Sequence, residues 1–174
     1  MKTIGKTERS YKQTYKKKSS TADPYLPKGA SRNITVCEGC HAVYKKKRWY
    51  ADPHLYITAV KISKTAIAVC PACLKIRDNF PGGIVTLKGD YVLSHKQELL
   101  NLVRNEEAGA RGFNPLERVM SVKETGYGGM EISTTNEKLA QRIGRAISKA
   151  FRGKVTYRWS HDNKLARVDW ARAA

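Results

Sequence analysis

Four cysteines are the residues whose type and spacing could do chemistry. They fall into two C-x2-C pairs, Cys37-Glu38-Gly39-Cys40 and Cys70-Pro71-Ala72-Cys73. A C-x2-C pair places both sulfurs on one side of a tight turn, and two pairs supply the four thiolates of a tetrahedral zinc site. Gly39 suits a first turn in which the backbone folds back with its N–H groups toward sulfur. Pro71 suits the start of the second, since it presets φ and has no N–H to lose. Residues 41–69 separate the pairs, a longer gap than usual for such sites, which predicts two knuckles divided by their own secondary structure. The expected cofactor is Zn2+, and the expected ligands are Cys37, Cys40, Cys70 and Cys73.

Rival chemistries of the same residues are weaker. A disulfide framework needs an oxidising compartment, which nothing in the sequence indicates. A redox C-x2-C needs one pair in a βαβ setting, not two pairs. Cys37 to His41 also matches C-x2-C-H, the c-type haem attachment pattern, but haem would leave Cys70 and Cys73 without a role. His41 then reads as a bystander beside a knuckle. The histidines at 41, 54, 95 and 161 have no nucleophile or paired carboxylates near them in sequence. There is no P-loop and no G-x-G-x-x-G after a strand, so the chain is expected not to be an enzyme.

Composition names the partner class. The 174 residues carry 33 Lys+Arg against 15 Asp+Glu, a net charge of +18. Such an excess repels itself unless a polyanion neutralises it, which makes nucleic acid the default partner. No long apolar run or strongly amphipathic basic helix argues for a membrane. Met1 to Ser20 lacks the apolar core of a secretory signal, and the cytoplasm is the expected location.

The elements that must position this chemistry read as α+β. Residues 1–33 form a basic arm in which Lys12, Tyr15, Lys16, Lys17, Lys18, Lys28 and Arg32 are candidate nucleic-acid contacts. Tyr11, Tyr15 and Tyr25, interleaved with the charge, suit base stacking, and an extended or disordered state is expected in isolation. Residues 34–92 read as a four-cysteine zinc-knuckle (zinc-ribbon-like) domain. It contains the densest basic–aromatic cluster, Lys45, Lys46, Lys47 and Arg48 beside Tyr44, Trp49 and Tyr50, a candidate contact with phosphates. Lys75 and Arg77 flank the second knuckle as further candidates. The period of residues 55–69 is ambiguous between strand and helix. Residues 84–88 read as a strand of this same domain.

Residues 93–112 read as a connector helix, begun by a capping box at Ser94 to Gln97. Residues 113–174 read as a small antiparallel ββαββ sheet domain. Its helix opens with a second capping box, Thr134 to Glu137, and stops at Gly153. Leu139, Ile143 and Ile147 recur at helical spacing, with Trp159 and Trp170 as further core. Arg142, Arg145 and Lys149 on the helix's outer face are the remaining candidate phosphate contacts.

With the knuckles and this C-terminal pattern in hand, a family resemblance can be stated. Val36 to Tyr44 followed by Lys47-Arg48-Trp49 resembles a motif of the large-ribosomal-subunit export adaptor family, historically called nonsense-mediated decay protein three. Its members carry a C-x2-C-G-x-Y-type knuckle with a basic residue and Trp after it, and later a C-P-x-C knuckle, a Gly-containing turn and a strand. Cys70 to Cys73, Gly82-Gly83 and Leu87-Lys88-Gly89 are similar to that second part. Gly129 to Ile132, the helix from Lys138 to Phe151, and Gly153-Lys154-Val155 are similar to the next block. The likeness is greatest to short bacterial proteins of this layout.

The resemblance covers roughly residues 34–170. It implies a zinc-containing factor that binds rRNA and ribosomal proteins of the large subunit, monomeric on the ribosome, in assembly, hibernation or quality control. The further cysteine pairs, C-terminal domains and export signals of longer members have no counterpart here, so nuclear export does not carry over. The other reading is a small zinc-containing regulator that binds DNA or mRNA.

Overall fold

A computed structural model of the chain describes residues 23–25, 34–160 and 165–172. The elements, in order, are β1 (Thr35–Cys37), β2 (Val43–Lys45), β3 (Arg48–Tyr50), α1 (Pro53–Val60), β4 (Ala66–Ala68) and α2 (Pro71–Arg77). They continue with β5 (Gly83–Lys88), α3 (Asp90–Ser94), α4 (Lys96–Phe113), β6 (Val119–Thr125), β7 (Gly129–Thr134), α5 (Glu137–Phe151), β8 (Lys154–Trp159) and β9 (Ala166–Ala171). They form two sheets, ordered β3-β2-β1-β4 and β6-β7-β5-β9-β8.

The first sheet frames the cysteines. The β2–β3 hairpin returns on β1, and β4 pairs with β1 in parallel, with Thr35 opposite Ala66 and Cys37 opposite Ala68. The ambiguous stretch at 55–69 holds both states: helix α1, then strand β4. Asp52 starts α1, its carboxylate accepting from the N–H groups of His54 and Leu55 at 2.8 and 3.2 Å, and Pro53 takes the first helical position.

The second sheet is packed on one face. Val85 and Leu87 of β5, Met130 and Ile132 of β7, and Val168 and Trp170 of β9 are fully buried, while the alternate residues of β5 and β9 are not. Leu139, Ile143 and Ile147 of α5 cover them, and Leu99, Val103 and Ala110 of α4 complete the core. Gly144 lets α5 approach the sheet: a Cβ there would lie 2.5 Å from Val168 Cγ1.

Several expectations are corrected. The strand at 84–88 does not belong with the cysteine unit. It is the central strand of the second sheet, antiparallel to β7 and parallel to β9. The region 113–174 therefore makes no antiparallel ββαββ sheet of its own, because β5 separates its two hairpins. The helix expected over 93–112 begins after His95, with no side-chain cap, and Ser94 ends the preceding α3. Asn136, not Thr134, caps α5: its side chain accepts from the N–H of Leu139, while Thr134 Oγ1 donates to backbone carbonyls. Arg152 shares the C-cap of α5 with Gly153, and both hold positive φ, 59° and 83°. Trp159, the last residue of edge strand β8, is 53% exposed. Trp170 is buried, its indole N–H bonded to the Arg152 carbonyl at 2.7 Å.

Candidate metal centre and its cationic surroundings

The first knuckle is the turn from β1 to β2. The N–H of Cys37 donates to Ala42 O at 2.8 Å, and that of His41 to Cys37 O at 2.9 Å. His41 holds φ 62°, a left-handed conformation that His tolerates better than most residues, and its ring stacks on Tyr56 with 4.7 Å between centroids. Gly39 eases a close approach: a Cβ there would meet Cys73 Sγ at 3.2 Å, tighter than an ordinary contact. The second knuckle is a helix start. Cys70 caps α2, its Sγ accepting from the N–H of Cys73 at 3.4 Å, and Pro71 occupies the first turn.

The two turns meet. All four Sγ atoms lie within 4.8 Å of one another. Cys37 and Cys73 are 3.8 Å apart, and Cys40 and Cys70 are 3.6 Å apart. A tetrahedral zinc–thiolate site with bonds of about 2.3 Å has sulfur–sulfur edges of about 3.8 Å, so the donor set fits. These separations are far beyond a disulfide bond of about 2.05 Å, and all four cysteines are free. Cys37 and Cys70 are buried; Cys40 and Cys73 are half-buried.

The sulfurs perturb one another's protonation. A hydrogen bond from the Cys70 thiol pulls Cys40 down to about 4, against burial, and holding that proton pushes Cys70 up. Burial raises Cys73 as well. The N–H of Cys70 donates to Cys37 Sγ at 3.2 Å, so backbone dipoles already point at sulfur. Arg118, at the start of the second sheet, donates from Nη1 to Cys73 Sγ at 3.4 Å and from Nε to Pro115 O at 3.0 Å. Although burial opposes its charge, the sulfur cluster raises the pKa of this guanidinium. Sequence reasoning missed Arg118, since nothing near it in the chain marks a partner lying so far upstream.

Of the expected phosphate contacts, the β2–β3 tip is best displayed. Lys45, Lys46, Lys47 and Arg48 are all exposed. Lys46 and Lys47 form the entire two-residue loop, with φ of 50° and 65°. Positive φ at both positions is the type I′ turn, whose favoured residues are Asn-Gly. Trp49 points inward, buried against Tyr44 at 5.3 Å, so it belongs to the core and not to the contact surface. Arg48 also donates from Nη2 to Phe113 O at 2.5 Å.

Other candidates fare differently. Lys75 is withdrawn: it is 7% exposed, bonded to Asp23 at 2.5 Å and to Thr135 O at 3.1 Å, and it ties the cysteine unit to the second sheet. Tyr25 is likewise engaged, its hydroxyl on Asp78 and its ring against Phe80. Arg77 is exposed and paired with Asp78 at 2.9 Å. Arg142 bonds Glu106 of α4 at 2.6 Å, an interhelical role, while Arg145 and Lys149 are exposed on α5. Lys12, Tyr15, Lys16, Lys17, Lys18, Lys28 and Arg32 lie outside the described residues.

No family model, no curated protein and no solved structure matches this chain. Among the described residues no helix is long and apolar enough to cross a membrane.

Proposed function

We propose that the protein is a non-catalytic, zinc-held nucleic-acid-binding factor whose partner is rRNA of the large ribosomal subunit. One observation carries the reading. A four-sulfur cluster, its Sγ atoms within 4.8 Å of one another, anchors β1 and β2, and the adjoining β2–β3 turn projects Lys45 to Arg48 into solvent. The net charge of +18 and the family resemblance support the choice of partner.

Cys37, Cys40, Cys70 and Cys73 would hold the metal as thiolates. Bound zinc would supply folding energy and no reaction chemistry. With four ligands from protein, such a site is closed. The knuckles fix β1 and α2 against each other, and the Trp49–Tyr44 contact fixes the hairpin on that base. The lysines at the tip then meet phosphates from a rigid support, which lowers the ordering cost of binding.

The test is sedimentation of the tagged protein from lysate through sucrose gradients at low and high salt. Co-migration with large subunits or whole ribosomes at low salt, lost at high salt, is the expected result. Protein that stays at the top at both salts, yet binds free DNA or mRNA with sequence preference, would replace the ribosomal reading with that of a small regulator.

A further inference from the structure

The second sheet has two faces, and the helices cover one. The other carries Ile84, Thr86 and Lys88 of β5, Arg167, Asp169 and Ala171 of β9, and Lys154, Thr156 and Arg158 of β8. Ser121, Lys123 and Thr125 of β6 and Glu131 and Ser133 of β7 extend it. Lys88, Lys123, Lys154, Arg158 and Arg167 are all exposed. Among the described residues only two carboxylates share the face. Asp169 is paired with Arg158, and Glu131 stands opposite Lys123 in register. The cations are left in excess.

One pairing is hard to explain by stability. Arg158 stands directly opposite Arg167 on neighbouring strands. Like charges in cross-strand register repel, and Asp169 offsets only one of the two, being bonded to Arg158. An anion laid across the face would turn that repulsion into shared attraction. Among these cations run hydroxyls of Ser121, Thr86 and Thr156, which can bond phosphate oxygens and ribose hydroxyls, while Ser133 is buried.

We propose that this open sheet face is an RNA-binding surface, on which Lys88, Lys123, Lys154, Arg158 and Arg167 hold the phosphates of a double helix of A form. The proposal rests on the nucleic-acid reading above and adds a second site to it, away from the knuckles. Shape selects RNA. Five strands span about 19 Å at the usual spacing of about 4.8 Å. A face this broad cannot enter the grooves of B-DNA, about 8.5 and 7.5 Å deep, whereas the minor groove of A-form RNA is shallow and displays 2′-hydroxyls at its surface. The face carries no aromatic side chain at these positions, so stacking on unpaired bases is not its mode.

The experiment measures binding of the full chain to a short RNA duplex, to a DNA duplex of the same sequence, and to single-stranded RNA, by fluorescence anisotropy over a salt series. The variants are Lys88→Ala/Lys154→Ala/Arg167→Ala on the face and Lys46→Ala/Lys47→Ala at the hairpin tip. The face variant should bind duplex RNA at least about tenfold more weakly at 0.1 M salt, with a salt slope shallower by about 3, and should lose the preference for RNA duplex over DNA. Photo-crosslinking of the unaltered protein to duplex RNA should label peptides containing residues 154–159 and 166–171, a readout independent of whether the variant folds. An unchanged slope in the face variant, with a reduced one in the hairpin variant, would overturn this proposal and leave the proposed function standing. A parent that binds no nucleic acid would overturn both.

Discussion

The β2–β3 turn makes a prediction in which stability and binding move in opposite directions. Lys46 and Lys47 both hold left-handed backbone. That conformation costs an ordinary L-residue about 1–2 kcal/mol, and Asn and Gly adopt it more readily. Replacing the pair by Lys46→Asn/Lys47→Gly removes most of that cost. The extra freedom of Gly in the unfolded chain takes back about 0.5–1 kcal/mol. The net expectation is a gain of about 1–2 kcal/mol, or about 3–6 °C in the unfolding midpoint for a chain of this size. The same change deletes two exposed cations at the tip, so the salt slope of nucleic-acid binding should become shallower by about 2. The assays are thermal denaturation of the metal-loaded protein, followed by circular dichroism, and anisotropy over a salt series. A midpoint that falls or stays put would refute the reading of the turn. A midpoint that rises without any change in slope would show that the lysines touch no phosphate, and would remove the observation on which the proposed function rests.

Four further outcomes are expected. Arg118→Met deletes the guanidinium bond to Cys73 Sγ and should weaken zinc affinity by about 10–100-fold, read by chelator competition. Lys75→Met breaks the ion pair with Asp23 and the bond to Thr135 O; with Asp23 partly open to solvent, the loss should be about 1–2 kcal/mol in denaturant unfolding, with the salt slope of binding unaltered. Gly144→Ala sets the helix-propensity gain of Ala against a Cβ 2.5 Å from Val168 Cγ1, and overpacking should win, at a cost of about 1–2 kcal/mol in the same assay. Removing metal with a strong chelator should abolish slow amide exchange across β1 to β3 while leaving β5 and β9 protected, as measured by hydrogen exchange.

Local geometry was legible in the sequence, and long-range placement was not. A C-x2-C turn is settled within four residues, so the sulfurs could be named without knowing what surrounds them. The amphipathic period of α5 and the alternation of β9 were equally local. The strand at 84–88 could also be seen as a strand, but its partners could not. Sequential elements usually neighbour each other, and β5 instead pairs with β7 and β9, far along the chain. Lys75 looked like one more cation beside a knuckle because its partner Asp23 lies 52 residues before it and its acceptor Thr135 lies 60 residues after it. Ser94 and Thr134 matched the capping pattern, yet the helices begin one or two residues later, where His95 and Asn136 stand. Trp159 alternates correctly along β8, yet as the last residue of an edge strand it is left open to water.

The central position of β5 has a consequence for how the chain is made. Synthesis proceeds from the N-terminus, and folding units can form as they emerge. All four cysteines have been translated once Cys73 is clear of the exit, so metal can be captured early, before Arg118 arrives to bond Cys73 Sγ. The second sheet must wait. Gly83 pairs with Ala166, and until β9 appears Val85 and Leu87 have no neighbour on that side. Contacts this far apart in sequence form slowly. The nascent chain thus carries a finished knuckle joined to an unfinished sheet, with an apolar strand waiting beside it for the last partner to be made.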